Sequence, residues 1–178
     1  MTLLLTPSSL EQTVREQVCA ELNARLADTL DLVGVYKSAH WNLRGSNFLS
    51  YHVALDKFAT QATDIADTLA ERITTLGGIA RGSARVVARV SSLPEMKPDL
   101  LFDTAFMAAV YERVVKWLLG LQSSRVACEN VADVETENLL IELITMGQKT
   151  SWKIAATIDP VASDAASETV MPTPVANK

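Results

Sequence analysis

The stretch FLSYHVALDKFATQATDIADTLAERITTLGG, residues 48–78, is a long helical pattern closed by a pair of glycines. Leu55, Phe58, Ile65, Leu69, Ile73 and Leu76 recur at three- and four-residue spacing and so share one face of a helix. Gly77 and Gly78 end the pattern, as expected of a residue type that leaves a helix without a Cβ clash. At about 100° per residue, His52, Asp56, Asp67 and Glu71 fall within an arc of about 100° on a different face. That face points away from the core of its own chain.

Reading outward, Leu10, Val14, Val18, Leu22, Leu26, Leu30 and Val33 continue the same period upstream. Ser8 and Ser9, each followed three residues later by Glu11 or Gln12, predict a capped helix start there, with the helix running to about Lys37. A polar run containing Gly45 separates this helix from the one that opens at Phe48. Downstream, residues 78 to about 102 are rich in Gly, Ser and Pro and predict a crossover with one short helix at about 83–90. Asp103 starts a third pattern that breaks near Asn130, and a fourth runs from about Val134 to Ile158. The prediction is all-α: a short arm at 1–8, a bundle over 9–158 and a flexible tail at 159–178 with no apolar stripe to bury. Four long helices with one long crossover, between the second and third, describe a ferritin-like four-helix bundle, though periodicity alone leaves other helical bundles open.

The totals agree with one soluble domain: 178 residues, 48% hydrophobic and 21% charged. A net charge of −5 argues against whole-surface attraction to nucleic acid. Cys19 and Cys128 are far apart and lack CxxC spacing, which excludes a disulfide framework and predicts reduced, partly buried thiols. The opening MTLLLTPSS has no basic segment and is too short in apolar residues to span a membrane, so the cytoplasm is the expected location.

The chain has two histidines, His40 and His52, both in the region that holds Asp56, Asp67 and Glu71. A lone histidine is more often a solvated or core residue than a ligand, but helical spacing shifts that balance. His52 with Asp56, and Asp67 with Glu71, each stand four apart, so each pair can grip one metal. Imidazole plus carboxylate suits iron or zinc, and open coordination positions favour redox iron chemistry. Asp56 and Asp67 are about 16 Å apart along the axis, at about 1.5 Å per residue, so one metal cannot touch both pairs. Two copies of this helix packed antiparallel about a two-fold axis near Gln61 and Ala62 would join one chain's His52 and Asp56 to the other's Asp67 and Glu71. Ala59, Ala66 and Ala70, beside or within that arc, would let the two helices approach, although plain helix propensity accounts for them equally well; His40, ahead of the turn, could complete the His52 half.

HWNLRGSNF at 40–48, then His52, Asp56 and DxxxE at Asp67 to Glu71 followed by Arg72, resembles the signature of the Dps family, the miniature ferritins of starved bacteria. The motif covers residues 37–78, and the other helices agree in order and length. The resemblance implies a hollow dodecamer built on two-fold dimers. It also implies ferroxidase sites in which His40, His52 and Asp56 come from one subunit and Asp67 and Glu71 from its mate. There hydrogen peroxide or O2 would oxidise Fe2+ to Fe3+, and the ferric mineral would fill the cavity; Zn is a competing occupant. Lys37 and Trp41 resemble family positions beside the site: Lys37 as a charge that weakens binding of a second iron, Trp41 as a sink for stray oxidising equivalents. The plainer alternatives are a solvated lysine and an indole at a subunit interface. Trp152 resembles another landmark and is taken as packing.

The chain departs from the family in two places. Acidic residues at the start of the fourth helix line the family's three-fold iron pores; here the position aligned with a pore aspartate is Asn138, flanked by Glu135, Glu137 and Glu142. A lysine-rich arm, the family's usual DNA contact, is missing: Arg15 is the basic residue of the first 20 and Lys178 that of the tail, so DNA binding is predicted weak or absent. Arg81, Arg85 and Arg89 form a possible basic stripe in the crossover. The rival readings are a nucleoid-associated DNA-binding protein, a diiron carboxylate protein, which would carry Glu-x-x-His pairs inside one subunit, and a structural bundle.

Overall fold

The computed structural model describes residues 3–4, 6–97 and 102–158. Within them lie helices α1 (Gln12–Asn42), α2 (Phe48–Thr75), α3 (Ala84–Val90), α4 (Asp103–Asn130) and α5 (Val134–Ile158). α1 packs along α2 and α4 along α5, and the two hairpins meet chiefly through α1 and α4, with α3 laid on α1. The core between them includes Leu22, Leu32, Tyr36, Leu55, Leu69, Ile73, Trp117 and Leu121, all nearly inaccessible. Trp117 donates its indole N–H to Thr29 Oγ1 at 2.9 Å, which satisfies the polar atom of the largest buried side chain. The predicted tail, 159–178, lies outside the described residues. Among the described residues no helix is long and apolar enough to cross a membrane.

Two predicted boundaries shift. α1 begins at Gln12, with Glu11 as N-cap and no side-chain cap; Ser8 Oγ instead accepts the Leu10 N–H at 3.2 Å, a local turn that competes with a capping box. At its other end α1 runs a turn beyond Lys37, to Asn42, because the polar residues that read as a break are bonded into the last turn. Leu43, fully buried, closes it through a bond to Ala39 O.

α2 and α4 end alike. Gly77, at φ +83°, turns the chain so that Gly78 N–H reaches Ile73 O and Gly77 N–H reaches Thr74 O, both at 2.9 Å. Ala132, at φ +57°, makes the same turn after α4, with Asp133 N–H on Cys128 O at 3.1 Å. The carbonyls left open at the end of α2 are taken by the arm and by α1. Thr6 Oγ1 donates to Thr75 O at 2.8 Å, Leu4 N–H to Gly77 O at 2.8 Å, and Arg15 Nη1 to Leu76 O at 3.2 Å.

Over residues 79–95 the crossover is stapled rather than free. Asn23 donates to Ile79 O and accepts Arg81 N–H, Asp28 accepts Ser92 N–H at 2.7 Å, and buried Arg113 holds Pro94 O at 3.0 Å and Glu95 O at 2.6 Å.

Candidate metal centre

The short turn between α1 and α2 brings the two histidines face to face. Their rings stack with centroids 3.6 Å apart and planes 19° from parallel. His40 Nδ1 lies 2.8 Å from His52 O, and His52 Nδ1 lies 2.9 Å from His40 O. A carbonyl oxygen only accepts, so both Nδ1 atoms carry a proton, which in the neutral ring leaves Nε2 with a free lone pair. This is how a metal-binding imidazole is usually oriented, its far nitrogen tied to a backbone carbonyl. His40 O belongs to the last turn of α1, whose carbonyls lack partners within the helix, so the His52 ring also closes that end. Phe48 covers the pair from the α2 side, its ring centroid 5.0 Å from that of His52.

Asp56, one turn beyond His52, is exposed and accepts Lys37 Nζ at 2.8 Å. The Lys37 ammonium, by hydrogen bond and by charge, holds its carboxyl below the ordinary value of 3.8. Lys37 is thus an ion-pair partner at the site and not merely a solvated surface charge. Asp67 and Glu71 are exposed further along the same face. The structure brings His40, His52, Asp56 and Lys37 together but not Asp67 or Glu71. Among the described residues of one chain, no group of three or more His, Cys, Asp or Glu is placed to hold a metal ion.

The ferritin-like domain family matches residues 19–162. A DNA protection during starvation protein of Agrobacterium fabrum is 38% identical over 108 residues, covering 61% of this chain and 67% of that relative. DpsC from Streptomyces coelicolor superposes with a TM-score of 0.80 at 29% identity, over 99% of this chain and 96% of that one. Dps from Microbacterium arborescens, solved in a high iron form, gives 0.76 at 28% identity, over 86% and 97%. The chain belongs to the Dps family of ferritin-like proteins.

In this Dps chain the alanines read as a seam between subunits are placed differently: Ala59 and Ala66 are 4% and 3% exposed, buried by the chain's own bundle. The arc of α2 that bears Asp56, Thr60, Thr63, Asp67, Glu71 and Thr74 is exposed and polar, whereas Phe48, Leu49 and Val53 near the start of the helix are exposed and apolar. Trp152, taken as packing, is 68% exposed within the chain, and Trp41 is 65% exposed. Of the candidate pore residues, Glu135, Asn138 and Glu142 are exposed, whereas Glu137 is half-buried and paired with Arg125 Nη1 at 2.7 Å. Both thiols are free and fully buried, and burial pushes each up, Cys128 to about 12.

The contacts of two acidic residues at the two ends of α2 escape a sequence reading. Fully buried Asp133 caps α5 through the Thr136 N–H at 3.0 Å and receives Arg72 Nη2 at 3.0 Å, with Arg72 Nε on Thr136 Oγ1 at 2.8 Å. This ties the end of α2 beside Glu71 to the start of α5. The signal was the D-x-x-T pattern ahead of α5, a helix-cap pattern. The other is Asp103, which grips the turn between the histidines.

Proposed function

We propose that this Dps-family chain is a ferroxidase of the mini-ferritin kind. It binds Fe2+ as substrate between two copies of itself, oxidises it with hydrogen peroxide or O2, and keeps the ferric product as mineral inside a dodecameric cage. The observation that carries the reading is the histidine pair. Two stacked imidazoles, both in the tautomer that frees Nε2, stand beside an Asp56 carboxylate with one oxygen on Lys37 and the other available. On this reading His40, His52 and Asp56 of one chain would give part of the coordination sphere, and the exposed Asp67 and Glu71 of a two-fold mate would supply the carboxylate half. Two ferrous ions each give up one electron; together these cleave the O–O bond of one peroxide to the oxidation level of water, so no hydroxyl radical is released. Zn2+ suits the same donors and would act as an inhibitor.

Electrostatics make DNA the lesser partner, despite the name of the Agrobacterium relative. The arm carries no lysine, and Leu4 and Thr6 are bonded to the end of α2.

The test is anaerobic Fe2+ oxidation by peroxide, followed optically, in the intact protein and in a double His40→Ala, His52→Ala variant that still assembles. The reading requires that only the intact protein accelerates oxidation and keeps the product soluble. Equal behaviour would remove it in favour of a structural or DNA-binding role.

A further inference from the structure

The turn that joins the two histidine-bearing helices is held from outside by the first residue of α4. Asp103 accepts Ser46 Oγ at 2.9 Å on one carboxylate oxygen and Asn47 Nδ2 at 3.1 Å on the other. Its own N–H donates to Arg44 O at 2.8 Å. Asn47 is the N-cap of α2 but makes no cap bond with its side chain. Its amide is turned to Asp103, so a carboxylate from another helix sits at the positive end of α2 in place of a local cap. Gly45, at φ +130°, is required there, since a Cβ would lie 2.7 Å from Asp103 Cγ. Asp103 itself holds φ +42°, which non-glycine residues rarely adopt and which persists only when the surroundings enforce it.

From this clamp the contacts run unbroken to the histidines. Phe48 N–H bonds Gly45 O at 3.2 Å, the Phe48 ring lies against His52, and His52 lies against His40. The first turn of α2 is exposed at Phe48, Leu49 and Ser50; buried Tyr51, bonded to Thr157 O at 3.4 Å, holds its inner side, and Asp103 holds the turn that leads into it.

We infer that Asp103 is a positioning residue for the iron site: by fixing residues 45–47 it sets the phase of the first turn of α2 and hence how His52 meets His40. This rests on the ferroxidase reading above.

Assembled Asp103→Ala and Asp103→Asn cages are compared with the natural protein in two measurements. One is an anaerobic Co2+ titration read by d–d absorption, with Co2+ as a stand-in that peroxide-free buffer does not oxidise; the other is steady-state Fe2+ oxidation by peroxide. Asparagine tolerates the positive φ and keeps one acceptor, so it separates the backbone conformation from the charge. The expected result for Asp103→Ala is a Co2+ Kd and an Fe2+ KM each raised about tenfold, with kcat within about twofold. Asp103→Asn falls between, and adding Asn47→Ala to Asp103→Ala raises KM by less than the product of the single effects. A Kd and KM within about twofold of the natural protein in both variants, even with a lower Tm, overturns the inference and leaves Asp103 a purely structural residue. If the alanine variant does not assemble, the asparagine variant decides by the same two numbers. A natural protein that oxidises iron no faster than the double histidine variant sinks the ferroxidase reading instead, and the Co2+ titration still decides whether Asp103 holds the histidine pair.

Discussion

His40 and His52 hold each other's main chains: each ring donates its Nδ1 proton to the other's carbonyl, at 2.8 and 2.9 Å, while the rings stack. Neither imidazole is placed independently, so the pair acts as a unit. Single His40→Ala and His52→Ala variants should each lose nearly as much ferrous oxidation as the double variant, at least about tenfold in initial rate, because residues that work together are strongly non-additive. Stopped-flow rates for all three decide it. Single losses that multiply to give the double loss would show two independent ligands.

Lys37 holds one oxygen of the Asp56 carboxylate at 2.8 Å, so under the proposed ferroxidase reading it would compete with iron for that group. The pair is exposed, so Lys37→Gln should leave the melting temperature within about 2 °C. Freed of its cation, the carboxylate should bind ferrous iron or Co2+ more tightly by a factor of about five. Calorimetric titration would read this directly, and weaker binding would mean that Lys37 orients Asp56 rather than competing for it.

Arg72 and Asp133 make a largely buried ion pair between the end of α2 and the start of α5. Arg72→Met leaves the buried Asp133 charge without its cation and should cost about 3 kcal/mol or more. Asp133→Ala also removes the α5 cap, so it should melt lower still, by about 1 kcal/mol. In the double variant the loss should be smaller than the sum. Thermal melts of assembled protein at one concentration test this, and additive losses would show that the two residues act separately.

Burial raises the Cys128 thiol from its ordinary 9.0 to about 12 in the folded chain. Below pH 9 both folded and unfolded forms keep the proton and no stability is lost. Between pH 9 and about 12 the unfolded chain releases a proton that the folded chain retains, so stability falls as pH rises. The natural protein should therefore lose stability more steeply over this window than Cys128→Ala, and iodoacetamide at pH 8 should label neither thiol until the chain unfolds. Rapid labelling of native protein would contradict the burial.

Helix order, the crossover helix and the face of α2 that bears Asp56, Asp67 and Glu71 were legible because each is written in local periodicity and in punctuation at Gly77, Gly78 and Asn130. What escaped depends on contacts between distant positions. Ser46 and Asn47 meet Asp103 more than fifty residues away, and Arg72 meets Asp133 across a similar gap, so no local pattern announces either. The alanines were open to two readings because a small residue at the edge of a polar arc is equally compatible with either neighbour; the chain's own bundle takes Ala59 and Ala66. The serines ahead of α1 were misread because a side-chain turn at Ser8 uses the same atoms as a helix cap.

The crossover is anchored at Ile79, Arg81, Ser92, Pro94 and Glu95 by side chains of α1 and α4. Continuity of the chain through exposed Arg85 and Arg89 therefore adds little to the cohesion of the two hairpins. A protease that nicks α3 should leave a native-looking particle whose cut shows only on a denaturing gel. The same property makes α3 a natural point at which to split the molecule, the two halves being expressed apart and reunited by the pins already in place.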